Sequence, residues 1–350
     1  MPTTPSAEGT AARPQPGGRT AARLLPAVLV WLLATWLAVF IAYPALAVLL
    51  RSVSTKAGGV TLAHYQSFFA KGYFLRSLLN TLVLGCTVTG VCIALGFALA
   101  YLAARGPRRL RLPLRVFTLA PLIAPPYLFG LALIILAGRR GVVAELLDIQ
   151  IPLYGWLGVI LSQVLSLLPV AFLMIENVLA SLDPAIEDSA CDLGANEVTR
   201  LRTVILPLAV PGLLKAGLLT FGLSIADFGN PALLGGGLSF LAPDAYLMVT
   251  GEWNLEMASV LSVVLLVPTL GIFLAQHYWL KGKTYTTIGG HATAAEPRGI
   301  GGVLLAAFLV PSLAFGALVV MSYGVIALGA VTKLVGIDNT PTLQHFASMA

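Results

Sequence analysis

Residues 181–207 read SLDPAIEDSACDLGANEVTRLRTVILP, a polar stretch set between long apolar runs. It carries Asp183, Glu187, Asp188, Asp192 and Glu197 together with Arg200 and Arg202. Asp183 followed by Pro184 has the chemistry of a helix start: an acid to accept from the first free amides, and proline where no donor is needed. Gly194 supplies a residue that can turn the chain. The stretch therefore reads as two short helices joined at Gly194, a rigid projection that a soluble partner could grip.

Outward from this segment the chain is apolar. Residues 149–175 precede it without a charge, and 203–226 follow it with Lys215 alone. Pro207, Pro211 and Gly212 lie near the start of the second run, and Lys215 sits where its stem can reach the headgroups. Further charge-free runs cover 24–50, 77–104, 116–138, 257–276 and 299–332. A hydrocarbon core about 30 Å thick is crossed by about 20 helical residues. Backbone groups in lipid must be satisfied within the segment, so each run is a helix. The last run is too long for one straight span, and a helix over about 300–325 followed by a loop from Gly324 is expected. The reading is seven spans.

Composition agrees. Of 350 residues, 58% are hydrophobic and 10% charged, against about 25% charged in soluble domains. The mean hydropathy is +0.90. The net charge of +6 is spread between the apolar runs, which argues for orientation in a membrane and against nucleic acid as a partner. Arg13, Arg19 and Arg23 precede the first span, and five arginines crowd 105–115. Residues 227–256 have no Lys or Arg, only Asp227, Asp244, Glu252 and Glu256. The positive-inside rule places the N-terminus, 105–115, 176–202 and 277–298 in the cytoplasm, although 51–76 carries four basic residues on the other side. Residues 1–23 are expected to be a disordered tail.

An internal repeat is visible. Residues 61–69, TLAHYQSFF, and 342–350, TLQHFASMA, share Thr, Leu, His and Ser at matching places. Each follows an apolar span and a short loop. On this reading 24–290 is one six-span unit, 291–350 begins a second, and the chain is the front of a longer one. His64 and His345 read as packing or capping residues. Cys86, Cys92 and Cys191 show no metal spacing, and neither a metal site nor a cofactor is expected.

Within 181–207 the chain resembles the inner-membrane permeases of binding-protein-dependent ABC importers. Their mark is Glu-Ala-Ala, three residues, Gly, nine residues, Ile, one residue, Leu-Pro. Asp188, Ser189 and Ala190 stand at the first three places, Gly194 at the glycine, Val204 at the isoleucine, and Leu206 and Pro207 at the end. The departures are Asp for Glu, Ser for Ala and Val for Ile. The resemblance implies an all-α polytopic protein of the type I permease fold in a bacterial inner membrane. It also implies that Glu187, Asp188, Ser189, Ala190, Gly194, Val204, Leu206 and Pro207 form a coupling segment docking on a cytoplasmic ATPase dimer. A periplasmic binding protein and a second permease unit, fused or as a homodimer partner, complete the implied assembly.

Residues 224–237, SIADFGNPALLGGG, and 276–287, QHYWLKGKTYTT, are similar to ferric iron permeases. Permeases for 2-aminoethylphosphonate and, more distantly, polyamines share such runs. No G-x-x-x-x-G-K-[ST] loop occurs, so ATP hydrolysis belongs to a partner, not to this chain. Without the resemblance an ion-coupled secondary transporter is the rival reading. Pathway or gate candidates are Pro125 and Pro126, which with Pro121 would kink or unwind the third span, and Asp227 with Asn230 at the outer end of the fifth. Gln163, Ser166 and Ser224 add polar lining. A short helix is expected at 243–251.

Overall fold

The computed structural model describes residues 17–55, 58–280, 300–334 and 338–347. Seven helical stretches there are long and apolar enough to cross a membrane: Val28–Ser52, Gly72–Arg105, Tyr127–Leu147, Trp156–Ala180, Glu197–Ala226, Leu255–Ala275 and Gly302–Ala330. The seven-span reading is thus met in number, with several boundaries moved.

Helix α1 (Gly17–Leu37) starts inside the segment expected to be a disordered tail and continues through a π turn, Ala38–Ala42, into α2 (Tyr43–Ser52). The polar Gly17–Arg23 end simply prolongs the helix that the apolar run nucleates. The earlier part of the expected tail, 1–16, lies outside the described residues. A short loop and α3 (Ala63–Ala70) lead to α4 (Gly72–Arg105), whose 34 residues span about 50 Å. It therefore extends well past the hydrocarbon core.

The expected third span, 116–138, is not one helix. Amphipathic α5 (Arg108–Leu119) passes through a 3-10 turn, Ala120–Ile123, and stops; α6 (Tyr127–Ala137) restarts after Pro125 and Pro126. Prolines remove donors and bar the preceding residue from helical geometry. The carbonyls left free find side chains: Tyr323 donates to Ala120 O at 2.7 Å and Ser166 to Pro126 O at 3.0 Å. Broken backbone is tolerated in a membrane bundle on that condition.

Next come α7 (Val142–Leu147) and α8 (Trp156–Ala180). The run from 149 is extended up to Gly155, whose φ of +110° suits glycine, so α8 begins later than its apolar run. Then follow α9 (Pro184–Asp192), α10 (Glu197–Arg200), a π turn at Leu201–Ile205, and α11 (Leu206–Ala226). Short α12 (Gly229–Leu234) and α13 (Leu241–Thr250) precede α14 (Leu255–Leu280). The expected helix at 243–251 is α13, begun two residues earlier. Finally α15 (Gly302–Ala330) outruns its expected end near 325. A small hairpin, β1 (Thr332–Leu334) with β2 (Asp338–Pro341), follows it, and then α16 (Gln344–Ala347).

The core lies among α4, α8 and α11. Leu84, Val88, Cys92, Val164, Leu168, Phe172 and Ala216 are buried there. At Gly85 an added Cβ would meet Ile225 and Phe221 within 3.0 Å; the missing side chain lets α4 and α11 approach. Buried hydroxyls of Thr81, Thr118, Thr220 and Ser312 donate to the carbonyl four residues back, which satisfies each within its own helix.

The repeat at the level of sequence is also a repeat of hydrogen bonds. In the first copy Thr61 N donates to Val53 O (2.7 Å), His64 Nε2 lies 3.2 Å from Ser54 O, and Ala63 N donates to Thr61 Oγ1. In the second, Thr342 N donates to Val331 O (2.8 Å), His345 Nε2 lies 3.0 Å from Thr332 O, and Gln344 N donates to Thr342 Oγ1. Both histidines thus bond the loop backbone, the role expected of them.

Candidate functional site

The polar segment projects from one end of the bundle. Asp183 caps α9, accepting from Ala185 N at 2.9 Å, and Asn196 caps α10 through Thr199 N at 2.9 Å. Between them Gly194 takes φ +84°, with open space where a Cβ would stand. A side chain there is opposed by backbone strain alone. This is the pair of short helices joined at glycine that the sequence suggests.

Helix α9 has two faces. Outward it presents Ile186, Ser189 and Leu193, the last 90% exposed. Spaced at three and four residues, they form one stripe. Inward it presents Glu187, which is 2% exposed. The resemblance puts Glu187 in the coupling segment that docks on a partner. The helical period instead turns it toward the bundle, where Arg105 Nε donates to its two oxygens at 3.1 and 3.2 Å and Nη2 adds a further bond. Arg200 Nε stands 3.7 Å away. Asp188 and Ala190 are half-buried, Ser189 and Gly194 exposed. Val204 lies in the π turn, half-buried, while Leu206 and Pro207 open α11 and are exposed.

Near the opposite end Asp227 and Asn230 lie beside the helix that restarts after Pro125 and Pro126. Asp227 follows α11 and its Oδ1 accepts from Gly229 N (3.0 Å) and Asn230 N (3.4 Å), capping α12. Its Oδ2 accepts from Asn230 Nδ2 (2.8 Å) and Gln163 Nε2 (2.9 Å). Gln163 in turn accepts from Ser224 Oγ at 2.6 Å, tying α8 to α11. The helix break joins them: a Cβ at Gly229 would stand 3.1 Å from Tyr127 Cβ, and one at Gly130 would stand 3.1 Å from Asn230 Oδ1. Pro125, Pro126 and Tyr127 are exposed there, as is Phe228. The carboxyl group is thus held by neutral donors beside irregular backbone.

Among the described residues no group of three or more His, Cys, Asp or Glu is placed to hold a metal ion. Sequence reading missed Arg105 and Tyr101 as parts of the α9 end. Arg105 had been counted only toward charge balance, although its guanidinium packs 5.2 Å from the Tyr101 ring centre.

Residues 92–282 match the family described as binding-protein-dependent transport system inner membrane component. The chain belongs to this family. It is 31% identical over 322 residues to the ferric transport system permease protein FbpB of Actinobacillus pleuropneumoniae, covering 89% of this chain and 46% of that relative. It is also 31% identical to the putative ferric transport system permease protein FbpB 1 of Haemophilus influenzae, covering 89% and 50%. The permease chain therefore spans about half the length of these two curated relatives. The spermidine/putrescine permease PotB of Haemophilus influenzae is 26% identical, over 67% of this chain and 88% of its own. In fold the permease is similar to a chain of a bacterial ABC transporter importing alginate, with TM-score 0.63 and 18% identity, over 76% of this chain and 96% of that one. The family resemblance read from 188–207, 224–237 and 276–287 is confirmed, and with it the type I permease fold.

Proposed function

We propose that the chain is the membrane-spanning part of an ATP-driven, binding-protein-dependent importer. The observation that carries this is the α9–α10 projection: two capped helices, a glycine turn and an exposed stripe of Ile186, Ser189 and Leu193 on an otherwise lipid-facing bundle. A cytoplasmic ATPase dimer takes this stripe in a groove, with Asp188, Ser189, Ala190 and Gly194 at the contact. Val204, Leu206 and Pro207 relay its movement into α11. The N-terminus and α9 then share the cytoplasmic side, and α12–α13 face the periplasmic binding protein. Asp227, Asn230, Pro125 and Pro126 line the outer part of the pathway.

Helix α15 opens a second permease unit on this reading, fused in the same longer chain or matched by a homodimer partner. The repeated loop supports it. So does the packing of α15: Phe315, Val319 and Val325 are buried, and Phe308 meets Phe97 and Tyr101 edge-on in α4. By the same repeat, the exposed face of α1–α2 belongs against the second unit.

Ferric iron is the solute we assign, supported by the two ferric relatives. 2-Aminoethylphosphonate and polyamines are the alternatives to be tested beside it. Reconstitution with the cognate binding protein and ATPase, with uptake of each solute measured, decides among them. Saturable ferric uptake is expected; polyamine uptake alone would overturn the assignment. Gly194→Val in the same assay is expected to leave insertion intact and to separate ATP hydrolysis from transport. Unchanged transport would remove the coupling role. Uptake driven by an ion gradient without ATP would favour the secondary-transporter reading.

A further inference from the structure

We propose that Glu187 is a positioning residue, the buried joint through which the projecting helix α9 pulls on two membrane helices at once. The inference deepens the importer reading and rests on it for its functional half. Glu187, Arg105 and Arg200 are each 3% exposed or less. The two guanidinium groups come from different spans: Arg105 is the last residue of α4, and Arg200 ends α10, the first turn of the helical stretch Glu197–Ala226 that continues into α11. One carboxylate on α9 accepts from the first and stands 3.7 Å from the second. Arg200 Nη1 also donates to Cys191 Sγ, one turn further along the inward face of α9, at 3.4 Å.

Apolar faces can slide past one another at small cost. A buried carboxylate cannot leave its guanidinium partners without stranding charge in a dry site. Displacing α9 therefore carries the ends of α4 and α11 with it. The same point gathers the start of α15: Ile300 N donates to Arg105 O at 3.2 Å, and the Glu197 carboxylate lies against Gly301. The outward stripe of α9 receives the partner, and Glu187 on the inward face hands the motion on.

The test uses the full chain in lipid nanodiscs and two readouts. In the chain alone, amide hydrogen exchange across 184–192 is expected to rise roughly tenfold in Glu187→Gln, which keeps shape and loses charge. Glu187→Asp keeps the charge and should stay nearer the parent. In the complete transporter, with ferric iron loaded on the binding protein, ATP consumed per solute imported should rise roughly tenfold in Glu187→Gln. The Asp variant should again fall between. Parent-like exchange and stoichiometry in Glu187→Gln, or an Asp variant worse than Gln, would overturn the proposal. Should Glu187→Gln not insert, Arg105→Lys decides, since it keeps charge and loses the two-pronged geometry. Raised exchange at 184–192 supports the joint, and unchanged exchange overturns it. An unsubstituted transporter that hydrolyses ATP without importing solute would instead sink the importer reading and leave the exchange result standing.

Discussion

The two copies of the repeated loop sit in opposite surroundings. The span before the first copy, Val28–Ser52, has no buried residue in its most apolar stretch; yet the helix after that loop, α3, is anchored, with Phe68 fully buried and stacked 5.7 Å from Phe74. In the second copy the span α15 buries Ser312, Phe315, Val319, Ser322 and Val325 along one face, while α16 is exposed throughout. Two segments with one local design thus differ in which side of the loop is buried among the described residues. Local hydrogen bonds build the loop; the bundle decides which side of it is held.

The largest effects should follow burial and ignore residue type. Phe68→Ala and Phe315→Ala are expected to cost about 3 kcal/mol each. In the chain alone, without a second unit, Leu33→Ala and Phe346→Ala, at exposed positions of the same two copies, should cost under about 0.5 kcal/mol. Steric-trapping or thermal unfolding in nanodiscs reads both. Equal losses in the four variants would break the comparison.

Next comes a difference in pH response, since only the first copy rests near α13. Asp244 in α13 accepts from Tyr73 (2.8 Å) and Ser77 (2.6 Å) and is 4% exposed. Burial pushes its carboxyl above the ordinary range, and the two donors offset this only in part. For an acid raised in this way, stability is whole below the ordinary value of about 4 and is lost as pH rises through the folded-state value. Unfolding followed from pH 4 upward should show that loss in the parent, and Asp244→Asn should flatten it. A parent curve that climbs over the same window would show the shift has the opposite sign.

Smaller still, His64→Ala and His345→Ala should each remove one bond to the loop backbone, about 1 kcal/mol, and raise amide exchange at Thr61 and Thr342 alike. A response in one copy only would end the equivalence of the loops. The smallest effect belongs to Tyr65→Phe, expected at about 0.5 kcal/mol. It removes the bond to Ser52 Oγ at 2.9 Å and makes the first copy like the second, where Phe346 already stands.

Much of the fold is legible in the sequence. Seven apolar runs, the capped α9 start at Asp183, the turn at Gly194 and the repeat at 61–69 and 342–350 all follow from short-range rules. Hydropathy, proline and glycine conformations and local capping act over a few residues. They also located the break at Pro121, Pro125 and Pro126 without showing that the run divides into α5 and α6. Whether proline kinks a helix or ends it depends on who receives the freed carbonyls, here Tyr323 and Ser166 from other spans.

Sequence alone thus determined a polytopic helical bundle with a projecting polar segment, because lipid demands long apolar helices and caps announce themselves locally. Only the tertiary structure decided which way Glu187 points and which guanidinium groups meet it. It also brought Asp227 to Gln163 and the helix break to Gly229. Apart from Glu187 with Arg200, those pairings join residues 60 or more positions apart, and no local rule reaches across such separations; they exist because a charge buried in the bundle is costly unless it meets a partner.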